Sequence, residues 1–362
     1  MTAKNRIDAL VSAFALLAAT ALLLVGLSAY GIWDPWELDV IELARAGNLS
    51  SPPLRDLLLQ ASLRGLGVSE WSGRLPTAMG GLLVVLFVFL LGRRSGGSRV
   101  GAYGALVAAT TPLLLFNART LIGHAIPMAA QAGLGLALYS AVFPGRTDAD
   151  APFTSATGPR RTTFVTAGWL VLASGFTLAS IASAGLLVGV LPPLLAVSVL
   201  ALLDGRPSLG SRDARDVSAS VAILASVVAA SGVGLAIYGD AAGYSAITGG
   251  SASGRETGSF EALLETVLHG FAPWSALLLL GLAHAIEPRV EAEGPGAAST
   301  LEGARHRLSL FGVLWAAGGY AAAALYDARY GSGAFLPVAA LAIVIAAFLV
   351  SVEESEEGFR MG

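Results

Sequence analysis

The stretch Trp33-Asp34-Pro35-Trp36-Glu37-Leu38-Asp39 gathers three carboxylates around two tryptophans. Carboxylates so spaced can divide labour. One takes a proton as general base, and another holds a substrate hydroxyl or a divalent cation. The indoles suit stacking on a sugar or lipid. They suit equally a tryptophan belt at a membrane interface, with the acids favouring the positive end of a helix. Arginines recur nearby, at Arg55, Arg64, Arg74 and Arg119, and Arg329 follows Asp327 near the end. A guanidinium can grip two phosphate oxygens at once. Each of these could also snorkel to headgroups or pair with an acid of its own loop. His124, five residues after Arg119, has no histidine or cysteine at ligand spacing. It is a weak metal signal and reads as well as a packed, hydrogen-bonded imidazole. The absence of cysteine excludes disulfides and thiolate chemistry. No GxGxxG follows a strand, and GxSxG and HExxH are missing. No basic patch interleaved with aromatics supports a nucleic-acid partner.

The elements that must position these groups are membrane helices. Hydrophobic residues make up 55% of the 362, charged ones only 13%, and mean hydropathy is +0.70. An ordinary soluble domain carries about 25% charged residues, so this chain lacks the charge to cover itself. A span needs about 20 apolar residues to cross the ~30 Å hydrocarbon layer. Ten runs qualify, near 10–30, 76–92, 100–116, 121–143, 164–181, 185–203, 217–238, 272–287, 309–326 and 334–351. The first is long for a signal-peptide core and reads as an uncleaved span. The sequence therefore predicts one all-α, polytopic membrane domain over 1–362. With the N-terminus inside, 15 of the 22 lysines and arginines fall on the inner segments and 7 on the outer ones, which puts both termini in the cytoplasm.

The outer segments are unequal. In 31–75, "ELDVIELARAG" and "LRDLLLQASLRGLG" each read as a short amphipathic helix, separated by Pro52-Pro53. In 239–270 a Gly/Ser-rich stretch precedes "FEALLETVLHGF", where Phe260, Leu263, Leu264, Val267 and Leu268 share a helical face suited to the interface plane.

From "WDPWELDVIELARAG" onward the chain resembles the GT-C membrane glycosyltransferases, in particular the bacterial protein O-mannosyltransferase and aminoarabinose transferase superfamily (glycosyltransferase family 39). The resemblance runs through "SPPLRDLLLQASLRGLGVSEWSGRLPTAMGGLLVVLFVFLLGRR" and "ATTPLLLFNARTLIGHAIPMAAQAGLGLALY", and returns in "HGFAPWSALLLL" and "RYGSGAFLPVAALAI". It implies a GT-C-like core with interfacial helices in the first external loop. It also implies transfer of a sugar from a polyprenyl-phosphate-linked donor to an acceptor at the outer face of a bacterial inner membrane. Under that resemblance Asp34 or Glu37 is the general base. The other acid, or Asp39, holds the acceptor or a divalent cation, and Arg119, His124, Arg74 and Arg329 bind substrate. The sequence departs from the family at four places, one of them the polar cluster before the last proline, reduced to Asp327, Arg329 and Tyr330. The Asp of the family's Asp-Glu pair falls on Trp36, leaving Glu37 in place and Asp34 two positions earlier. The basic residue before Pro-Pro falls on Ser51, and no lysine stands near "SIASAGLL". These departures keep a second reading open: a non-catalytic GT-C-like scaffold, or a subunit with a membrane-protein partner.

Overall fold

In a computed structural model, the described residues are 3–33, 36–47, 54–143, 159–203, 225–237, 260–287, 301–330 and 334–361. Every regular element among them is helical. In chain order these are α1 (Ala3–Leu24), α2 (Trp36–Arg45), α3 (Leu54–Leu66), α4 (Glu70–Gly96), α5 (Ser98–Thr110), α6 (Pro112–Arg119) and α7 (Ala125–Val142). Then come α8 (Pro159–Gly185), a π-helical turn (Leu186–Val190), α9 (Leu191–Leu203) and α10 (Ala225–Ile237). The chain closes with α11 (Phe260–Gly270), α12 (Ser275–Ile286), α13 (Leu301–Tyr330) and α14 (Val338–Met361).

Six helical stretches among the described residues are long and apolar enough to cross a bilayer, and eight if each sharply bent pair counts as one span. The ten runs read from the sequence do not correspond one to one with these: 164–181 and 185–203 share one continuous helical stretch, Gly168–Leu203, and 217–238 meets the shorter helix α10. The run 100–116 is broken into α5 and α6, which meet at 62° before Pro112. Proline at the first position of α6 starts a new helix and disfavours helical geometry in the residue ahead of it. The run 272–287 is a short helix, α12, bent 104° from α11. Part of 217–238 lies outside the described residues.

The runs 164–181 and 185–203 join at Gly185, whose φ of +75° places it in the left-handed region that glycine tolerates. A Cβ on Gly189 would stand 2.8 Å from the Ser180 carbonyl. A straight helix would hold residues nine apart at about 13 Å, so the chain folds back on itself here. Gln131 of α7, fully buried, donates to the Val188 carbonyl in the turn (2.6 Å) and accepts from the Trp315 indole of α13 (3.2 Å). A buried amide so satisfied pins three helices together without leaving a backbone carbonyl orphaned in an apolar interior.

The core is small-residue packing of α4, α5, α7, α13 and α14, rich in alanine and valine, with Trp315, Phe311 and Tyr139 as its large members. A separate small core lies at one end of the bundle. There Ile41 and Ala44 of α2, Leu59 and Leu63 of α3, and Leu121 pack together. Their spacing, one face of each helix, is the amphipathic pattern seen in the sequence. The two short helices are thus seated on the end of α4, whose start is closed by a capping box between Ser69 and Ser72.

Candidate functional site

The α2–α3 end of the bundle brings together residues from distant parts of the chain. Glu37, in the first turn of α2, and Arg74, the fifth residue of α4, are both fully buried. Arg74 Nη2 donates to Glu37 Oε2 at 2.6 Å and Nε to Oε1 at 3.3 Å. Its remaining donors go to the carbonyls of Leu27 (2.9 Å), Tyr30 (2.7 Å) and Gly31 (2.8 Å). All five guanidinium hydrogens are therefore engaged, and the plane also lies over the Tyr30 ring at 4.0 Å. Glu37 in turn accepts from the Leu121 amide (2.9 Å) and the Trp33 amide (3.1 Å). Burial alone would raise its pKa. The Arg74 hydrogen bond, the two backbone amides and the Arg74 charge outweigh that, and the carboxyl lies below the usual range.

This pair ties the α1 exit, α2, α4 and the α6–α7 turn into one knot. It also bears on two residues singled out in the sequence. Arg74, expected to assist at a lipid phosphate, has no donor left to offer one. Glu37, expected as a general base or its partner, is buried here and accepts four hydrogen bonds.

Arg119 closes α6 and reaches back to α1. Its guanidinium donates to the carbonyls of Leu22 (2.5 Å) and Gly26 (3.2 Å), and its own carbonyl accepts from the Tyr30 hydroxyl (2.8 Å). It caps the last carbonyls of α1, a role that cations fill at helix C-termini. The expected phosphate contact is thus not the contact its side chain makes here. Asp39 is exposed on α2. Asp34 lies outside the described residues. Arg329 falls in the last turn of α13, and its side chain lies outside them as well. Among the described residues no group of three or more His, Asp or Glu side chains is placed to hold a metal.

Two further residues at this end, Arg55 and His124, have solvent access, as do Asp39 and Arg64. Arg55, in the first turn of α3, pairs through Nε with the buried Asp56 at 3.1 Å and is partly exposed. His124 caps α7, and its backbone amide donates to the Asn117 side chain at 2.8 Å. Gly123 permits that approach, since a Cβ there would sit 1.8 Å from the Asn117 carbonyl. One side of the imidazole is open while protein crowds the rest. That desolvation, followed by the Arg55 charge, lowers its pKa from 6.5 to about 4, so it stands neutral near pH 7.

Beside them an apolar cleft of about 470 Å³ opens between α3, α4, α7 and α8. Leu54 and Leu58, flanking Arg55 on α3, form one wall, and Ile126, two residues after His124, forms another. Phe87 and Phe176 meet edge-on at 5.2 Å, and both line it. The lining is almost wholly apolar and can hold a long apolar chain; Arg55 and His124 are sequence neighbours of its lining residues Leu54 and Ile126. Arg55 and the cleft were missed as a unit in the sequence because their walls lie up to 125 positions apart, from Leu54 to Ala179.

The all-helical bundle with two short helices seated on one end has counterparts among solved membrane-protein structures. Residues 50–147 match the family model of dolichyl-phosphate-mannose-protein mannosyltransferases. The fold is similar to the crystal structure of ArnT from Cupriavidus metallidurans bound to undecaprenyl phosphate. At 18% identity it aligns over 97% of this chain and 61% of ArnT with a TM-score of 0.63. The apo state of the same ArnT gives 19% identity, 94% and 59% coverage, and a TM-score of 0.62. The chain thus spans about three fifths of ArnT's length. No curated protein sequence matches it.

Proposed function

We propose that the protein is a glycosyltransferase that moves a sugar from a polyprenyl-phosphate-linked donor to an acceptor hydroxyl at the outer face of a bacterial inner membrane. The observation that carries this is the apolar cleft, whose lining residues Leu54 and Ile126 lie next to Arg55 and near His124 in the chain. It offers a tail and a phosphate the two environments they need, and the fold-mate ArnT is a protein bound to undecaprenyl phosphate. With Glu37 and Arg74 engaged as a structural pair and Arg119 as a cap, we assign the general base to Asp34. The acceptor hydroxyl attacks the anomeric carbon and gives its proton to Asp34, and the bond from that carbon to the phosphate oxygen breaks. One displacement inverts the anomeric centre. The lipid phosphate leaves with its charge opposed by Arg55 and hydrogen-bonded by the neutral His124.

The topology follows the same reading. Counting the Gly185 turn as a hairpin and 217–238 as a span, the chain crosses ten times and both termini lie in the cytoplasm.

One observation favours the scaffold reading instead: the acid at the family position, Glu37, is locked in a buried ion pair. A single experiment separates the two. Purified protein is supplied with polyprenyl-phosphate sugars, and wild type is compared with Asp34→Asn and Arg55→Gln at matched thermal stability. Transfer that falls about 10²–10⁴-fold on loss of the base supports the enzyme. No transfer by wild type from any such donor leaves the scaffold.

A further inference from the structure

The opposite end of the bundle holds a second cleft, of about 650 Å³, between α12, α13 and α14. Its walls are mixed. Leu301, Phe348 and Val352 are apolar, whereas His284, Glu302, Arg305, His306, Ser309 and Glu354 are polar. It straddles the point where α14 changes character, from the apolar run ending near Val350 to the acids Glu353 and Glu354. In a membrane that point is the interface, where an amphiphile presents its headgroup.

The charges in the cleft are of both signs and partly committed. Arg305 Nε donates to the Gly96 carbonyl at 2.7 Å and Nη1 to Glu354 at 2.5 Å. Its Nη2 has no hydrogen-bond acceptor among the described residues. Glu302 is exposed one turn before Arg305 on α13, and Glu354 of α14 stays half-exposed despite its pairing with Arg305. The His284 ring stands edge-on to Phe348 at 5.9 Å, so an imidazole and an apolar face meet on one wall. A lone phosphate entering here would meet two carboxylates, and a lone ammonium would meet the guanidinium. A ligand carrying a phosphate and a primary ammonium a few bonds apart satisfies both, with apolar groups lying along Leu301, Phe348 and Val352.

We propose that this cleft binds the headgroup of a zwitterionic aminophospholipid from the adjoining leaflet. The phosphate accepts from Arg305 and the imidazoles, and the ammonium donates to Glu302 and Glu354. The site lies at the far end of the spans from Arg55 and His124, and it holds whether or not the chain transfers sugar.

The test is lipid retention by the full chain. The protein is purified in detergent with equal amounts of phosphatidylethanolamine, phosphatidylcholine and phosphatidylglycerol, and the bound lipids are read by native mass spectrometry. Thermal unfolding is followed with each lipid, and with soluble phosphoethanolamine. Phosphatidylethanolamine should be retained about tenfold over phosphatidylcholine, whose quaternary nitrogen has no hydrogen to donate. Glu302→Gln, at an exposed position that leaves the fold intact, should erase that preference, and Arg305→Gln should erase retention. Equal retention of all three lipids, preference for phosphatidylglycerol, or an unchanged preference in Glu302→Gln overturns the proposal. Protection by soluble phosphoethanolamine equal to that by the lipid overturns the assignment to a lipid.

Discussion

Arg55 and Arg74 face the same end of the bundle, each near the start of its helix and each beside a carboxylate. Arg74 is fully buried, spends every donor, and meets a Glu37 that is equally dry. Arg55 is partly open and donates through Nε to Asp56, next to a neutral histidine and the wall of an apolar cleft. The first arrangement makes a rigid knot, because removing either partner strands a charge in a low dielectric. The second leaves a cation that a ligand can use. The difference is not in the residue types but in what covers them, and it separates the part that builds the site from the part that would touch substrate.

The sharpest way to break this comparison is at the knot. Arg74→Ala or Glu37→Gln alone should cost about 3–5 kcal/mol, since each leaves an uncompensated buried group. In detergent this should appear as loss of folded, monodisperse protein. A paired Glu37→Leu, Arg74→Met replacement should recover much of it, and equal damage from the pair would mean that the ion pair is not the source of the cost. Arg55→Gln should act in the opposite sense. It should leave the unfolding temperature near wild type while transfer falls about 10–100-fold, the worth of one charge-assisted hydrogen bond. If Arg55→Gln instead unfolds the protein, the two arginines do the same work and the comparison fails.

Ala61 lies on the cleft side of α3 and is exposed. Ala61→Trp should fill the cleft and reduce transfer about tenfold at fixed donor, mainly by raising KM, because it removes room for apolar chain rather than a reacting group. An unchanged KM would place the carrier elsewhere. The smallest effect concerns pH. With His124 at about 4 in the fold and 6.5 as its ordinary value, the unfolded chain binds more protons between those limits. Its contribution to stability is thus complete above about 6.5 and lost as the pH falls toward 4. Titration of unfolding should show that acid loss in wild type and less of it in His124→Gln, while the two should match at pH 8. A His124 that titrates by NMR near 6.5 would contradict its crowding beside Arg55.

Some of this was legible in the sequence. Apolar runs located the spans because the bilayer demands about 20 apolar residues whatever the tertiary contacts. The amphipathic spacing in 36–45 and 54–66 showed the short helices because a helix must bury one face, here around Leu59, Leu63 and Leu121. The acids near Trp33 and the arginines facing them marked the functional end. Their roles were not legible, since Glu37 and Arg119 carry the same chemistry on paper as Asp34 and Arg55. The fold put Glu37 within 2.6 Å of an arginine 37 positions away and set the Arg119 guanidinium on the last carbonyls of α1. Likewise Gly185 could mark a linker, a packing face or a turn until its φ and the approach of Gly189 to Ser180 were fixed. Hydrophobicity is a property of each residue and survives in one dimension. Burial, charge pairing and the walls of a cleft are properties of neighbours, and only the tertiary structure chooses those.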